Sequence, residues 1–67
     1  MVIRNTIRRL RFDEDEMTQQ ELADKVGVTR QTINAIETGR YDPGLPLAFA
    51  IAKVFETSIE AIFLADD

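Results

Sequence analysis

The chain lacks both cysteine and histidine and carries only two prolines and three glycines in 67 residues. Without cysteine there are no disulfides, thiolate metal sites or thiol nucleophiles, and without histidine the usual general base and the commonest metal ligand are missing. An enzyme is the function class least favoured, since the remaining carboxylates converge on no evident site; neither a cofactor nor a metal is expected. No apolar run approaches the roughly 20 residues of a membrane span. Residues 1 to 10 mix arginines with isoleucines where a signal peptide would need an apolar core. These absences predict a cytoplasmic chain with no membrane partner, forming one small domain over residues 1–67. A chain this short buries only about 60% of the surface its unfolded form exposes, so a second subunit would add to a marginal stability.

A basic excess is lacking too: the net charge is −4. Phosphate binding is normally driven by lysine and arginine, so the sum argues against a nucleic-acid partner, but the distribution matters more. Arg4, Arg8, Arg9 and Arg11 make the first eleven residues basic, and Asp13-Glu14-Asp15-Glu16 reverses the sign. That run has neither the glycine nor the spaced oxygen ligands of a calcium loop and reads as a solvated loop. Lys25, Arg30 and Arg40 stand against Glu37 and Asp42, while the acidic tail holds Glu56, Glu60, Asp66 and Asp67. An anion-binding face must therefore lie near residues 25 to 41.

Helix signals recur at short spacing and no strand alternation is visible, which predicts an all-α bundle of five short helices. The first spans about residues 2 to 12, with Ile3, Ile7 and Leu10 at three-to-four spacing. Thr18-Gln19-Gln20-Glu21 is a capping box, so a second helix starts at Gln19, carries Leu22, Ala23 and Val26 inward, and stops at Gly27. Thr29 caps a third helix with Ile33 and Ile36 buried and Gly39 closing it. Tyr41-Asp42-Pro43-Gly44 reads as a turn. A fourth helix follows Gly44, tolerates Pro46 in its first turn, and runs to about Glu56 with Leu45, Ala48, Ile51, Ala52 and Phe55 inward. Thr57-Ser58-Ile59-Glu60 offers a further capping box for a fifth, carrying Ile59, Ile62 and Phe63.

Two helices crossing steeply through a short turn need a small residue where they approach, a glycine at the turn and apolar residues locking the pair to the core. Ala23, Gly27, Leu22, Val26, Val28, Ile33 and Ile36 supply these within residues 19–38. Here the sequence resembles the helix-turn-helix regulators of the Cro and lambda-repressor, or Xre, type, in their short single-domain form. The stretch "TQQELADKVGVTRQTINAIETGRYDPGL" carries the match, and "LAFAIAKVFETSIEAIF" looks like the last two helices of such proteins.

The resemblance implies a sequence-specific regulator of transcription, in its commonest form a repressor, that inserts its third helix into the major groove of double-stranded DNA. Arg30, Gln31, Thr32, Asn34 and Ala35 would read bases, Arg30 suiting guanine, Gln31 adenine, and the Ala35 methyl a thymine methyl. Gln19, Lys25, Thr29, Thr38, Arg40 and Tyr41 would touch phosphate, although Tyr41 equally suits covering the turn. Family members often pair an arginine near the end of the first helix with the glutamate matching Glu37; Arg11 is the nearest candidate, and the long acidic loop between the first two helices leaves the pairing open. Ala50 stands where relatives often carry a charge, which suggests a subunit interface. Phe49, Ile59, Ile62, Phe63 and Leu64 are the candidates for a homodimer contact, against the alternative that they close the monomer core. The expected partner is then an inverted-repeat operator, with no small-molecule ligand. A DNA-binding antitoxin and a protein-binding helical module remain as alternatives: a copurifying toxin would mark the first, and an Arg30–Ala35 face without salt-sensitive DNA affinity the second.

Overall fold

The computed structural model describes residues 1–66. A strand β1 (Val2–Asn5) leads into α1 (Ile7–Asp13), α2 (Gln19–Val26), α3 (Arg30–Glu37), α4 (Leu45–Val54) and α5 (Ile59–Ile62), and a strand β2 (Phe63–Asp66) follows directly. Five helices match the expected number, but the class is not purely α, because β1 and β2 form an antiparallel two-stranded ribbon.

That ribbon corrects the first helix, which begins at Ile7 rather than near residue 2. Ile3 and Ile7 satisfy a helical spacing, yet Val2–Asn5 also alternates exposed and half-buried positions in the period of a strand. The partner decides between them: Val2 pairs with Asp66 and Asn5 with Phe63, a contact about 60 residues away that no local window reveals. Arg4 Nε donates to Asp66 Oδ2 at 2.6 Å across the ribbon. Thr6 N donates to the Ile62 carbonyl at 2.9 Å, continuing the attachment into the start of α1.

The core gathers Ile7, Leu22, Ala23, Ile33, Ile36, Ile51, Ala52, Phe55 and Ile62. Each buried isoleucine, leucine or phenylalanine side chain contributes about 1.5–3 kcal/mol by leaving water. Two burial assignments change. Leu45 is 69% exposed, at the first turn of α4, while Leu47 packs partly against the core instead. Ile62, expected at a subunit interface, is wholly buried and belongs to the monomer. Helix α5 also starts one residue late: Ser58, not Thr57, caps it, accepting from Ala61 N at 3.2 Å. The helix then ends at Ile62, so Phe63 opens β2 instead of completing a helical stripe.

Candidate nucleic-acid interface

Local signals place α2 and α3. Thr18 Oγ1 accepts from Glu21 N at 3.0 Å, and Glu21 Oε1 accepts from Thr18 N at 2.9 Å. The Thr18 backbone N–H, helped by its hydroxyl, holds the Glu21 carboxyl below the usual carboxylate range, against a small opposing effect of burial. At the other end Gly27 takes φ 75°, a left-handed conformation that lets Val28 N reach the Ala23 carbonyl at 3.0 Å and closes the helix. Ala23 itself is fully buried where the two helices meet. Thr29 Oγ1 then accepts from Thr32 N at 3.2 Å and starts α3. Gly39, with φ 80°, ends α3 as Gly27 ends α2: Arg40 N reaches the Ala35 carbonyl at 2.9 Å.

With Ile33 and Ile36 turned inward, the helical period turns Gln31, Asn34, Ala35 and Thr38 outward, and Arg30 and Thr32 flank the first turn. Arg30, Gln31 and Thr38 are exposed; Thr32, Asn34 and Ala35 are half-exposed. The five expected base readers thus share one surface.

Behind that surface lies a polar chain joining three helices. Arg11 donates from Nε to Glu37 Oε2 at 2.7 Å and from Nη2 to Glu37 Oε1 at 3.0 Å, which answers the open pairing. A third bond, Arg11 Nη1 to the Met17 carbonyl at 2.7 Å, ties the acidic loop to the same guanidinium and explains how its length is absorbed. Gln19 Nε2 donates to both Glu37 Oε1 and Asn34 Oδ1 at 3.2 Å. The Arg11 and Glu37 side chains are 14% and 7% exposed. Glu37 is the only acid between residues 25 and 41, so the exposed charges of that stretch, on Lys25, Arg30 and Arg40, are all positive.

The expected phosphate contacts divide. Lys25, Arg40 and Tyr41 are exposed and make no side-chain hydrogen bond among the described residues. Gln19 differs, because its amide hydrogens are committed to Asn34 and Glu37; what it leaves at the start of α2 is backbone N–H, the form in which a helix N-terminus meets anions. Thr38 spends its hydroxyl hydrogen on the Asn34 carbonyl at 2.9 Å, and Thr29 uses its oxygen as a cap. The Thr38 hydroxyl therefore donates inward, while Thr29 Oγ1 also lies 3.1 Å from Thr32 Oγ1, a contact in which either hydroxyl can be the donor.

One contributor went unread in the sequence. Asn5 Nδ2 donates to the Ile36 carbonyl at 2.9 Å, holding the C-terminal turn of α3, while its Oδ1 accepts from Ile7 N at 3.2 Å. The start signal available in the sequence was Thr6, which stands immediately before Ile7 at the N-cap of α1 and would have moved the helix boundary to this point.

The apolar candidates divide between surface and core. Phe49 is 62% and Leu64 38% exposed, and Ile59 and Phe63 pack partly against the core. Phe49 borders a groove of about 460 Å³ lined by Ala52, Ser58, Ile59 and Glu60. A smaller one, about 150 Å³, lies between Ile3, Pro43, Leu45 and Phe63.

Comparison with known proteins agrees with this geometry. The helix-turn-helix family model matches residues 7–62, the span from α1 through α5. The chain is similar to an uncharacterized HTH-type transcriptional regulator of Methanocaldococcus jannaschii, 61% identical over 51 residues, which are 76% of this chain and 77% of the relative. A second such relative, from Methanothermobacter thermautotrophicus, is 52% identical over 63 residues, covering 92% of this chain and 91% of its own. The uncharacterized HTH-type transcriptional regulator YgzD of Bacillus subtilis is 40% identical over 65 residues, 97% of each chain. With the capped α2, the glycine turn and the polar outer face of α3 all inside the matched span, the chain belongs to the helix-turn-helix family of the Cro and lambda-repressor (Xre) type, a family of DNA-binding transcriptional regulators.

Proposed function

We propose that this chain is a sequence-specific regulator of transcription that lays α3 in the major groove of an operator as a homodimer. The observation that carries this reading is the outer face of α3. It offers Arg30, Gln31, Thr32, Asn34 and Ala35 together, with every exposed charge from Lys25 to Arg40 positive and the one acid withdrawn onto Arg11. Arg30 suits guanine O6 and N7 and Gln31 suits adenine, each good pair giving about 1–3 kcal/mol of discrimination. Lys25, Arg40, Tyr41 and the N–H groups at the start of α2 grip phosphate. Repression is the mode of action that asks nothing more of the molecule than occupancy of its site.

The dimer reading rests on the surface around Phe49. Phe49 projects beside the groove lined by Ala52 and Ile59, so a knob and a hole adjoin, which is the self-complementary arrangement a two-fold contact uses. Glu60, on its margin, and Lys53, one helical turn after Phe49, are exposed and lack a partner among the described residues, so a second copy would bring opposite charges together. Ile62 takes no part, and Leu45 joins the candidates.

Selection of bound duplexes from a random pool, followed by salt titration, tests the function. Arg30→Ala should relax preference at one base position, while Arg40→Ala should weaken all sequences alike and lower the salt slope by about one per subunit. Loss of affinity that is uniform in both variants would overturn the division between reading and gripping; salt-insensitive or absent duplex binding would overturn the function.

A further inference from the structure

The chain of hydrogen bonds behind α3 has a direction. Its first member is a guanidinium, which can only donate, and its second is the Glu37 carboxylate that accepts from it at 2.7 and 3.0 Å. A carboxylate in such a two-point contact has only acceptor sites left. The neighbouring Gln19 must therefore turn its amide nitrogen, not its oxygen, toward Glu37, because the opposite orientation would set oxygen against oxygen. The usual ambiguity of an amide side chain is removed by the charge beside it. The same Gln19 nitrogen carries a second hydrogen, 3.2 Å from Asn34. Asn34 must meet it with Oδ1. Its amide is thus oriented in turn, with the oxygen toward α2 and Nδ2 left over, bound to no acceptor among the described residues and belonging to a half-exposed side chain on the outward face of α3.

We propose that this relay fixes Asn34 as a donor-only reader of DNA, selective for guanine, and that Gln19 is the positioning residue that sets its polarity. The inference rests on the major-groove reading given above and deepens it. A free asparagine pairs with adenine by accepting from N6 and donating to N7, which needs both amide atoms turned to the base. With Oδ1 held by Gln19, only Nδ2 reaches the groove. A single nitrogen with two hydrogens matches guanine, whose O6 and N7 are adjacent acceptors and are read in this way by the lone ammonium of lysine. Cytosine, which presents its N4 donor, gives Nδ2 nothing to bind. The relay also starts outside α3: Arg11 on α1 and Gln19 on α2 take part in setting a preference at a base that neither touches.

The test uses the duplex recovered from the random pool, with wild type, Asn34→Ala and Gln19→Met compared at every position. Methionine keeps the length of Gln19 and removes its hydrogen bonds, and circular dichroism confirms that the variant is folded. Preference at one base pair should vanish in Asn34→Ala, and the base there should be guanine. Replacing it with 7-deazaguanine should weaken the wild type on the order of tenfold and leave Asn34→Ala unchanged. In Gln19→Met the ratio of guanine to adenine affinity at that pair should fall toward one, whereas loss of a phosphate contact would lower both affinities and leave their ratio intact. An A·T pair at the coupled position, an unmoved ratio in Gln19→Met, or no base that responds to Asn34→Ala would each overturn the proposal while the duplex binding itself stands. Binding without salt sensitivity or sequence preference overturns the underlying reading as well. A measurement without DNA bears on the relay directly: in the free protein the Gln19 side-chain amide protons should exchange with water more slowly than those of Asn34. The reverse order would sink it.

Discussion

Glu56 ends α4 at φ 53°, in the left-handed region that a β-carbon disfavours by about 1–2 kcal/mol. It does there what Gly27 and Gly39 do for α2 and α3, since Thr57 N reaches the Ala52 carbonyl at 3.0 Å across it. Glu56→Gly should therefore raise the stability by about 1 kcal/mol, read as a higher midpoint in urea. Gly39→Ala should lower it by a similar amount, although a β-carbon at Gly39 would meet nothing within 4 Å, because the cost lies in the backbone and not in contact. Equal midpoints for wild type and Glu56→Gly would show that the left-handed residue carries no strain. A second residue-scale effect follows from Glu21. Its carboxyl titrates below the ordinary value of 4.5 in the folded chain, so its contribution is present in full above that value and is lost as pH falls through the lowered one. Glu21→Gln should flatten the acid limb of a stability-against-pH curve and leave its shape near neutrality unchanged; an unchanged acid limb would count against the capping box as its source.

Among the elements, α2 and α3 were legible because each of their boundaries is written within four residues: Thr18 with Glu21, Gly27, Thr29 and Gly39. The ribbon was not, since β1 is a strand only by virtue of β2, and the pairing partner of Asn5 is Phe63. The exposed Leu45 and the buried Ile62 escaped for a related reason. Apolar identity says that a side chain prefers burial, while a helix of one turn such as α5 offers too short a period to say which of Ile59, Ile62 and Phe63 the core will take. The face of α3 could be read from spacing alone, but the hydrogen bonds that orient it come from Asn5, Arg11 and Gln19 on other elements. That dependence makes α3 sensitive to substitutions it does not contain. Arg11→Met leaves Glu37 almost buried without its partner and should cost about 3–5 kcal/mol, whereas Arg11→Met with Glu37→Met should cost clearly less than the two single changes together. Additive losses in urea denaturation would show that the pair does not act as a unit.

For the molecule as a whole the proposed dimer has the largest consequences. Phe63 packs partly against the core, so its replacement by a charge would confuse unfolding with dissociation; Phe49, 62% exposed, separates them. Phe49→Glu should leave the helical circular dichroism intact, abolish the concentration dependence of the melting temperature and shift sedimentation to the monomer. A concentration-independent melt in the wild type would instead reject the dimer. Two copies of α3 related by a two-fold axis require half-sites about 34 Å apart on one side of the duplex, an inverted repeat with centres about 10 base pairs apart. Inserting five base pairs between the half-sites should collapse affinity, and unaltered binding to a single half-site would leave the dimer without a role. The ribbon, finally, bears on the order of events in folding. Its register joins Val2 to Asp66, so closing it demands a loop of nearly the whole chain, while the contacts of α2 with α3 close within about twenty residues. The helical pair should form the nucleus and the ribbon should zip last. Removing the 2.6 Å Arg4–Asp66 bond with Arg4→Ala should then leave the folding rate unchanged and quicken unfolding, whereas Ile33→Val should slow folding.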